Sequence, residues 1–267
     1  MIEILREQFT TEMSAEERAN RVREFLQVLV LKIMADKGFF RNLAFVGGTA
    51  LRMLYNLRRF SEDLDFSVTG ARGYDAHNFV VELTKGLKLF GIEAEIKPPK
   101  NKTVHSIPVK FPGVLQEIGV SPLKEQKLSI RIDIDTHPPK GAAMETSLIN
   151  KTYLFNVVRY DLPSLYATKL HACLFRKYTK GRDFYDLVWY LGRKVEPNYR
   201  LLNNAVKQTE GRSKTITSNN LRQVAIDRLK NVDFSAARRD VERFLEDKNE
   251  LKLLNLKSLG ALIEASL

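Results

Sequence analysis

The chain has 267 residues, of which 44% are hydrophobic and 28% charged, values typical of a soluble globular protein with one large domain or two modest ones. No apolar run approaches the roughly 20 residues needed to cross a bilayer, and the N-terminus lacks a signal-peptide pattern, so we expect a cytoplasmic protein with no membrane association. The single cysteine, Cys173, excludes an internal disulfide, and one cysteine with four histidines argues against a structural zinc site.

The first predicted elements surround a pair of glycines. A capping box that begins at Ser14 predicts a helix over Ala15–Lys37, and the apolar segment Leu43–Val46 predicts a buried, central strand. This strand leads into Gly47-Gly48-Thr49 and then into a helix over Thr49–Leu57, an arrangement that offers backbone N–H groups to an anion. Thr49 lies where it can cap the helix, contact a phosphate, or do both.

The next predicted strand, Asp63–Val68, begins with two aspartates. Asp63 and Asp65 are spaced i, i+2, so their side chains point to the same face of the strand. Two carboxylates so close repel each other unless a cation lies between them, and oxygen ligands on a strand suit Mg²⁺ or Mn²⁺. A phosphate site beside a metal site indicates phosphoryl or nucleotidyl transfer. Taken singly, the glycines are also typical of a tight turn, and the aspartates of a solvated strand.

Together, the two motifs resemble the signature of the polymerase-beta-like nucleotidyltransferases. The longer strings Gly-Gly-Thr-Ala-Leu (47–51) and Arg-Phe-Ser-Glu-Asp-Leu-Asp-Phe (59–66) resemble one branch more closely, the AbiEii-type toxins of type IV toxin–antitoxin and abortive-infection systems, with the related MenT toxins. The resemblance implies that Gly47, Gly48 and Thr49 bind the phosphates of an NTP. It also implies that Asp63 and Asp65 bind the metal ions. Arg59 either contacts a nucleotide phosphate, as the resemblance suggests, or lies in a solvated turn.

A third metal-binding carboxylate is expected on the strand Leu128–Asp135, which alternates at period two. Its polar face carries Asp133 and Asp135. In the family resembled, a carboxylate on a neighbouring strand completes the catalytic metal site and helps to deprotonate the attacking hydroxyl. The resemblance favours Asp133, with Asp135 in reserve. An ordinary amphipathic edge strand is the alternative.

The last predicted site residues lie in the C-terminal part of the chain. We expect a nucleotidyltransferase domain over residues 1–150 and a mostly helical, basic domain over residues 151–267, giving an α+β fold with a mixed sheet and flanking helices. Lys169 lies on or beside the apolar stripe of a predicted helix, where a lysine either extends to solvent or serves a site. By resemblance it contacts the triphosphate, and Asp183 or Asp186 orients either Lys169 or a nucleotide group. The alternative for the aspartates is helix capping and a salt bridge with Arg182.

The positive charge of the chain is concentrated in its C-terminal half. The formal net charge is +11; residues 1–150 hold 21 Lys and Arg against 19 Asp and Glu, and residues 151–267 hold 22 against 13. A basic half favours a polyanionic acceptor, most simply RNA, although a solubilising surface or a face for an acidic partner is also consistent. The resemblance implies a metal-dependent nucleotidyltransferase toxin that acts on tRNA or a protein and is neutralised by an antitoxin, and the basic C-terminal half favours tRNA. The alternatives are a small-molecule nucleotidyltransferase and a nucleic-acid-binding protein with a vestigial site.

Overall fold

The computed structural model of the protein describes residues 9–10, 12–70, 73–100, 102–211 and 215–267. The elements of the N-terminal part are α1 (Ala15–Asp36), a 3-10 turn (Phe39–Arg41), β1 (Leu43–Val46), α2 (Gly47–Tyr55), β2 (Asp63–Val68), α3 (Ala76–Leu89), β3 (Glu95–Ile96), β4 (Val104–Phe111), α4 (Val114–Glu117), β5 (Leu128–Asp135), β6 (Met144–Asn150) and β7 (Leu154–Tyr160). Those of the C-terminal part are α5 (Leu162–Phe175), α6 (Gly181–Gly192), α7 (Tyr199–Glu210), α8 (Ser218–Leu229), α9 (Phe234–Glu242), a 3-10 helix (Lys248–Leu253) and α10 (Leu256–Ser266).

The residue contacts divide the chain into two compact units. The first comprises the described residues up to Asn56, Phe60–His137 and Thr146–Arg159. The second comprises Leu57–Arg59, Pro138–Glu145 and Tyr160–Leu267. The expected boundary between residues 150 and 151 falls in the connection between β6 and β7, about ten residues before the last change of unit.

A mixed sheet forms the centre of the first unit. In the described part of the chain its seven strands follow the order β3-β4-β5-β2-β1-β7-β6. Strand β2 lies between β1, to which it is antiparallel, and β5, to which it is parallel. The α+β fold with a mixed sheet and flanking helices is therefore confirmed.

The two faces of the sheet differ in polarity. On β5, Ile130, Ile132 and Ile134 are completely buried and belong to a core shared with α1 and α3. Complete burial of each such side chain contributes roughly 1.5–3 kcal/mol to the free energy of folding. Because side chains alternate along a strand, the residues between the isoleucines, and Asp63 and Asp65 on β2, lie on the opposite face. Burial of the apolar face thus fixes the carboxylates on the other face.

Several predicted elements differ from the observed ones. Helix α2 begins at Gly47, two residues before the predicted start, and β3 is only two residues long. The short helix α4 and strand β6 lie in segments for which the sequence predicted neither a helix nor a strand. Five of the seven β6 residues are exposed and only Ile149 is buried, so the segment lacks the apolar alternation that predicts a strand.

The second unit is helical in its described residues after Tyr160. Helix α5 begins at a capping aspartate, Asp161, whose carboxylate accepts a hydrogen bond from the Ser164 amide at 2.9 Å. The buried rings of Tyr166 on α5 and Tyr190 on α6 stack with their centroids 4.4 Å apart, which fixes the two helices side by side. Among the residues that the structure describes, no helix is both long enough and apolar enough to span a membrane.

Candidate active site

The turn after β1 lies against an aspartate of β2. Gly47 has a φ of +79°, a conformation that side-chain-bearing residues rarely adopt, and a Cβ at this position would overlap with the carboxylate of Asp65. Glycine is therefore required both for the backbone conformation and for the close approach to Asp65. Val46 occupies the N-cap position of α2 and provides no side-chain hydrogen bond. The first N–H groups of the helix thus have no side-chain cap, as at helix ends that bind anions.

Thr49 has a different position from the predicted one. Its side chain is completely buried, and its hydroxyl donates a hydrogen bond to the backbone carbonyl of Asp63. The prediction that Thr49 caps the helix is wrong, because α2 begins two residues earlier. The hydroxyl connects α2 to the first residue of β2 and so helps to place the aspartates. Its burial gives no support to a phosphate contact.

Four aspartates lie on the polar face of β2 and β5: Asp63, Asp65, Asp133 and Asp135. Asp65 and Asp133 are directly opposite each other in the parallel pairing of the two strands, and Asp63 is opposite Arg131. Opposite residues point to the same face, so the structure brings the carboxylates of Asp63, Asp65 and Asp133 together. All three are partly buried, which strengthens their mutual repulsion relative to water.

Arg131, which the sequence analysis did not select, lies between two of these carboxylates. Its Nη2 is 2.8 Å from Oδ2 of Asp63, and its Nε is 2.9 Å from Oδ2 of Asp133. Burial opposes the charge of Arg131, but the carboxylates of Asp63, Asp133 and Asp65 outweigh that effect and raise its pKa. The residue is therefore a permanent cation within the aspartate cluster. Side chains two residues apart on a strand point to the same face, so the sequence of β5 predicts that Arg131 lies on the same face as Asp133.

The two aspartates at the end of β5 have different environments. Oδ1 of Asp133 is buried and has no hydrogen-bond partner, a costly state for a carboxylate oxygen. Asp135 is opposite Ser67, and its Oδ1 accepts a hydrogen bond from the His137 amide at 2.9 Å. Burial raises the pKa of Asp135. Asp133 therefore joins the cluster around Asp65, whereas Asp135 supports the turn after the strand.

The aspartate cluster has the chemistry of a divalent-metal site but not its geometry. Three carboxylates suit Mg²⁺ or Mn²⁺, and the unsatisfied oxygen of Asp133 is a ligand without a partner. Within the described ranges, however, no three Asp, Glu, His or Cys side chains are arranged to hold a metal ion. The guanidinium of Arg131 contacts the carboxylates of both Asp63 and Asp133.

The other predicted site residues meet in a buried ion cluster of the second unit. Arg59 donates from Nε and Nη2 to the two carboxylate oxygens of Asp186, at 2.6 and 2.7 Å. Nζ of Lys169 on α5 lies 2.7 Å from Asp183 and 2.8 Å from Asp186, both on α6. Arg176, at the end of α5, also pairs with Asp183. The structure thus brings Lys169 to both aspartates, and it forms an ion pair with each of them.

The charges in this cluster stabilise one another. Burial alone would raise the pKa of Asp186, but Arg59 and Lys169 overcome it and hold that pKa below its ordinary value. The same balance, with Lys169 and Arg176 as the cations, lowers the pKa of Asp183. Burial would lower the pKa of Lys169, yet the two aspartates raise it. All of these groups are therefore ionised at neutral pH.

Two alternatives considered for these residues are wrong. Arg59 does not lie in a solvated turn: its side chain is 3% exposed and paired with a completely buried carboxylate. Because its guanidinium is committed to Asp186, its position gives no support to a phosphate contact. Helix α6 has no side-chain cap, and Asp183 pairs with Lys169 and Arg176 rather than with Arg182. Arg176, two helical turns after Lys169, was missed because its role depends on this tertiary contact.

Comparisons with known proteins agree with this architecture. A family model described as "Nucleotidyl transferase AbiEii toxin, Type IV TA system" matches residues 29–263. The crystal structure of JHP933 from Helicobacter pylori has a TM-score of 0.51 at 18% identity, covering 92% of this chain and 90% of that one. A candidate nucleotidyltransferase from H. pylori has a TM-score of 0.53 at 19% identity, covering 91% and 92%.

At these identities the two solved structures establish the fold alone, and no curated protein matches the chain. The family model, in contrast, spans most of the sequence, including both candidate clusters. It confirms the family that the motifs from Gly47 to Asp186 predicted. The protein therefore belongs to the AbiEii family of nucleotidyltransferase toxins of type IV toxin–antitoxin systems.

Proposed function

We propose that the protein transfers a nucleotide from an NTP to a hydroxyl of an RNA acceptor, most simply tRNA, with Mg²⁺ or Mn²⁺, and that a cognate antitoxin neutralises it. The observation that carries this proposal is the position of Asp65, which lies opposite Asp133 and against the Gly47 turn. Carboxylates for a cation and helix N–H groups for an anion thus occur together. A metal-bound triphosphate carries both kinds of charge and complements this arrangement.

The residues of the first unit have distinct parts in this reaction. Asp63, Asp65 and Asp133 would hold the metal, which when bound neutralises charge on the phosphate oxygens. The N–H groups of Gly47 and Gly48 bind the terminal phosphates. The acceptor hydroxyl oxygen attacks the α-phosphorus and forms a new P–O bond, while the bond to the bridging oxygen breaks and its electron pair leaves with pyrophosphate. Asp133, whose Oδ1 has no hydrogen-bond partner, would receive the hydroxyl proton.

Lys169 is the phosphate-binding candidate of the second unit. Its cluster contains three cations (Arg59, Lys169 and Arg176) and two carboxylates (Asp183 and Asp186), which leaves an excess of one positive charge. The Lys169 side chain is 12% exposed, whereas that of Arg59 is 3% exposed. Within this buried cluster Lys169 is therefore the better placed of the two to meet an anion. The aspartates hold it as an oriented, charged donor.

An RNA acceptor is supported by the segment that connects α5 and α6. It contains Arg176, Lys177 and Lys180, together with the aromatic ring of Tyr178, a residue that is 65% exposed. The Arg176 guanidinium lies 5.2 Å from the centre of that ring. Cations combined with an exposed aromatic ring are typical of surfaces that bind single-stranded nucleic acid, because the cations attract phosphates and the ring stacks on a base.

A transfer assay tests the proposed function. The protein is incubated with each α-labelled NTP, with Mg²⁺ or Mn²⁺ or with EDTA, and with total tRNA, beside the Asp65→Asn variant. We expect metal-dependent label on tRNA that is absent with the variant. Label on a protein or a small molecule instead would overturn the RNA acceptor and retain the chemistry. Transfer that persists in EDTA or in the variant would overturn the assignment of the aspartate cluster as the metal-dependent centre.

A further inference from the structure

The aspartate cluster of the first unit contains its own cation. Arg131 contacts Asp63 and Asp133 through two different nitrogens of one guanidinium, at 2.8 and 2.9 Å. Asp65 lies directly opposite Asp133, and its carboxylate also favours the charged form of Arg131. All three aspartates thus interact with a single arginine.

A divalent metal would need the same carboxylate oxygens. Oδ2 of Asp63 and Oδ2 of Asp133 are both engaged by Arg131, whereas Oδ1 of Asp133 is not engaged by a hydrogen bond. A metal ion held by all three aspartates and a guanidinium between two of them cannot occupy the same space. The two cations also neutralise the same charge, so binding of one weakens binding of the other.

Arg131 is able to leave this position. Its side chain is 50% exposed, in contrast to the buried Arg59 of the second unit. Partly exposed ion pairs contribute little net free energy, so a divalent ion bound by three carboxylates is able to replace them. A long, flexible arginine at the edge of solvent can swing outward while the strands stay in place.

We infer that Arg131 is a built-in counter-ion that competes with the divalent metal for Asp63 and Asp133. It neutralises the aspartates in the metal-free protein and is displaced when the metal binds. It is a positioning residue that sets the metal concentration at which the site fills. The inference rests on the proposed metal dependence of the aspartate cluster.

Binding of Mn²⁺ alone tests this competition without any measurement of activity. Binding to the full chain is measured by titration calorimetry or by the paramagnetic resonance signal of free Mn²⁺. The proteins compared are the unmodified chain, Arg131→Gln, Arg131→Lys and Asp65→Asn. Lys110→Gln serves as a matched control, because Lys110 is an exposed cation on neighbouring β4 whose strand partner is Ser129 rather than an aspartate.

We expect Arg131→Gln to bind Mn²⁺ about tenfold more tightly, which corresponds to the loss of about 1.4 kcal/mol of competing interaction. Arg131→Lys should fall between it and the unmodified chain, because an ammonium cannot contact both carboxylates as a guanidinium does. Lys110→Gln should bind as the unmodified chain does. Equal or weaker Mn²⁺ binding by Arg131→Gln would overturn the inference.

Failure of the inference and failure of the proposed site give different results. Loss of binding in Asp65→Asn together with unchanged binding in Arg131→Gln retains the metal site and refutes competition. Undiminished binding in Asp65→Asn, or no binding by any protein, refutes the metal site and the inference with it.

Thermal unfolding provides a second readout. In EDTA, the Arg131→Gln variant should have a lower melting temperature than the unmodified chain, because the carboxylates of its aspartate cluster repel one another. Mn²⁺ should raise the melting temperature of the variant by more than it raises that of the unmodified chain.

Discussion

Asp65 and Asp133 face each other across two parallel strands although they are far apart in the sequence. Asp65 is fixed by its strand and by the Gly47 turn, whose backbone leaves no room for a side chain. Asp133 is fixed by the isoleucines on the other face of β5, which are completely buried. Apolar packing on one face therefore determines which carboxylates meet on the other.

The neighbouring aspartates of β5 provide a matched test of the site. Asp133→Asn should reduce nucleotide transfer about 10²–10⁴-fold, because it removes both a ligand and the proposed proton acceptor. Asp135→Asn should reduce transfer far less, since the Asp135 carboxylate accepts a hydrogen bond from the turn. Transfer rates are measured with labelled NTP at saturating Mg²⁺. A larger loss of transfer in Asp135→Asn than in Asp133→Asn would contradict this assignment and indicate that Asp135 is the residue of the active site.

Gly47 should tolerate no side chain. Gly47→Ala should lose transfer activity and some stability, because it combines an unfavourable φ with overlap of Cβ and the Asp65 carboxylate. Gly91→Ala is the matched control: Gly91 has a φ of +70° but nothing within 4 Å of a Cβ. It should cost only the conformational penalty, about 1–2 kcal/mol, and keep its activity. Urea unfolding and the transfer rate separate the two effects, and equal behaviour of the variants would contradict the role of the overlap.

The strands that carry the aspartate cluster could be predicted because their signals are local. Strands β1, β2 and β5 have the predicted bounds, since each is defined by apolar residues at a regular spacing. The carboxylates follow from that spacing. The same spacing puts Arg131 on the face of Asp133, but its pairing with Asp63 depends on the register between β2 and β5, which the spacing along one strand does not give.

The partners of Arg59 had no local signal. Arg58 and Arg59 are adjacent and chemically alike, yet Arg58 lies in an exposed ion pair with Glu250 and Arg59 in a buried one with Asp186. Asp186 is 127 residues away in the sequence. The difference is decided by the tertiary packing of the second unit, which neither periodicity nor composition reports.

The buried pair Arg59–Asp186 should be critical for stability. Arg59→Met leaves a completely buried carboxylate with one cation fewer and should cost about 3–5 kcal/mol of the free energy of unfolding. The double variant Arg59→Met/Asp186→Leu should regain a large part, because no unpaired charge is then buried. Arg21→Met, which breaks the exposed pair with Glu17, should cost less than about 1 kcal/mol. Urea unfolding measures all three, and equal effects of Arg59→Met and Arg21→Met would contradict the prediction.

The same ion cluster should make stability dependent on acid. The pKa values of Asp183 and Asp186 are below the ordinary value of 3.8, so their stabilisation is fully present above that pH and is lost as the pH falls through the lower values. The pKa of Lys169 is raised from its ordinary value of 10.5, so its contribution is present throughout the neutral range and is lost only at more alkaline pH. Stability should thus fall on acidification below about pH 4.

Unfolding by urea between about pH 5 and pH 2 checks this dependence. The double variant Arg59→Met/Asp186→Leu lacks one of the two low-pKa carboxylates of this ion cluster and should lose stability less steeply with acidification than the unmodified chain. Identical slopes for the two proteins would show that other carboxylates determine the acid sensitivity. Comparison at about pH 7 provides the reference stability of each protein.

Tyr178 should contribute to RNA binding through its exposed ring. Tyr178→Ala should weaken tRNA binding about tenfold, since stacking on one base contributes about 1–3 kcal/mol, whereas Tyr178→Phe keeps the ring and should bind normally. Lys177→Gln should reduce the slope of the logarithm of the binding constant against the logarithm of the salt concentration by the amount expected for about one phosphate contact. Leu89→Ala, at an 83% exposed apolar position of the first unit, is the control. Affinities are measured with labelled tRNA over a range of salt concentrations. If Tyr178→Ala and Leu89→Ala both bind as the unmodified chain does, the segment between α5 and α6 does not contact RNA through Tyr178.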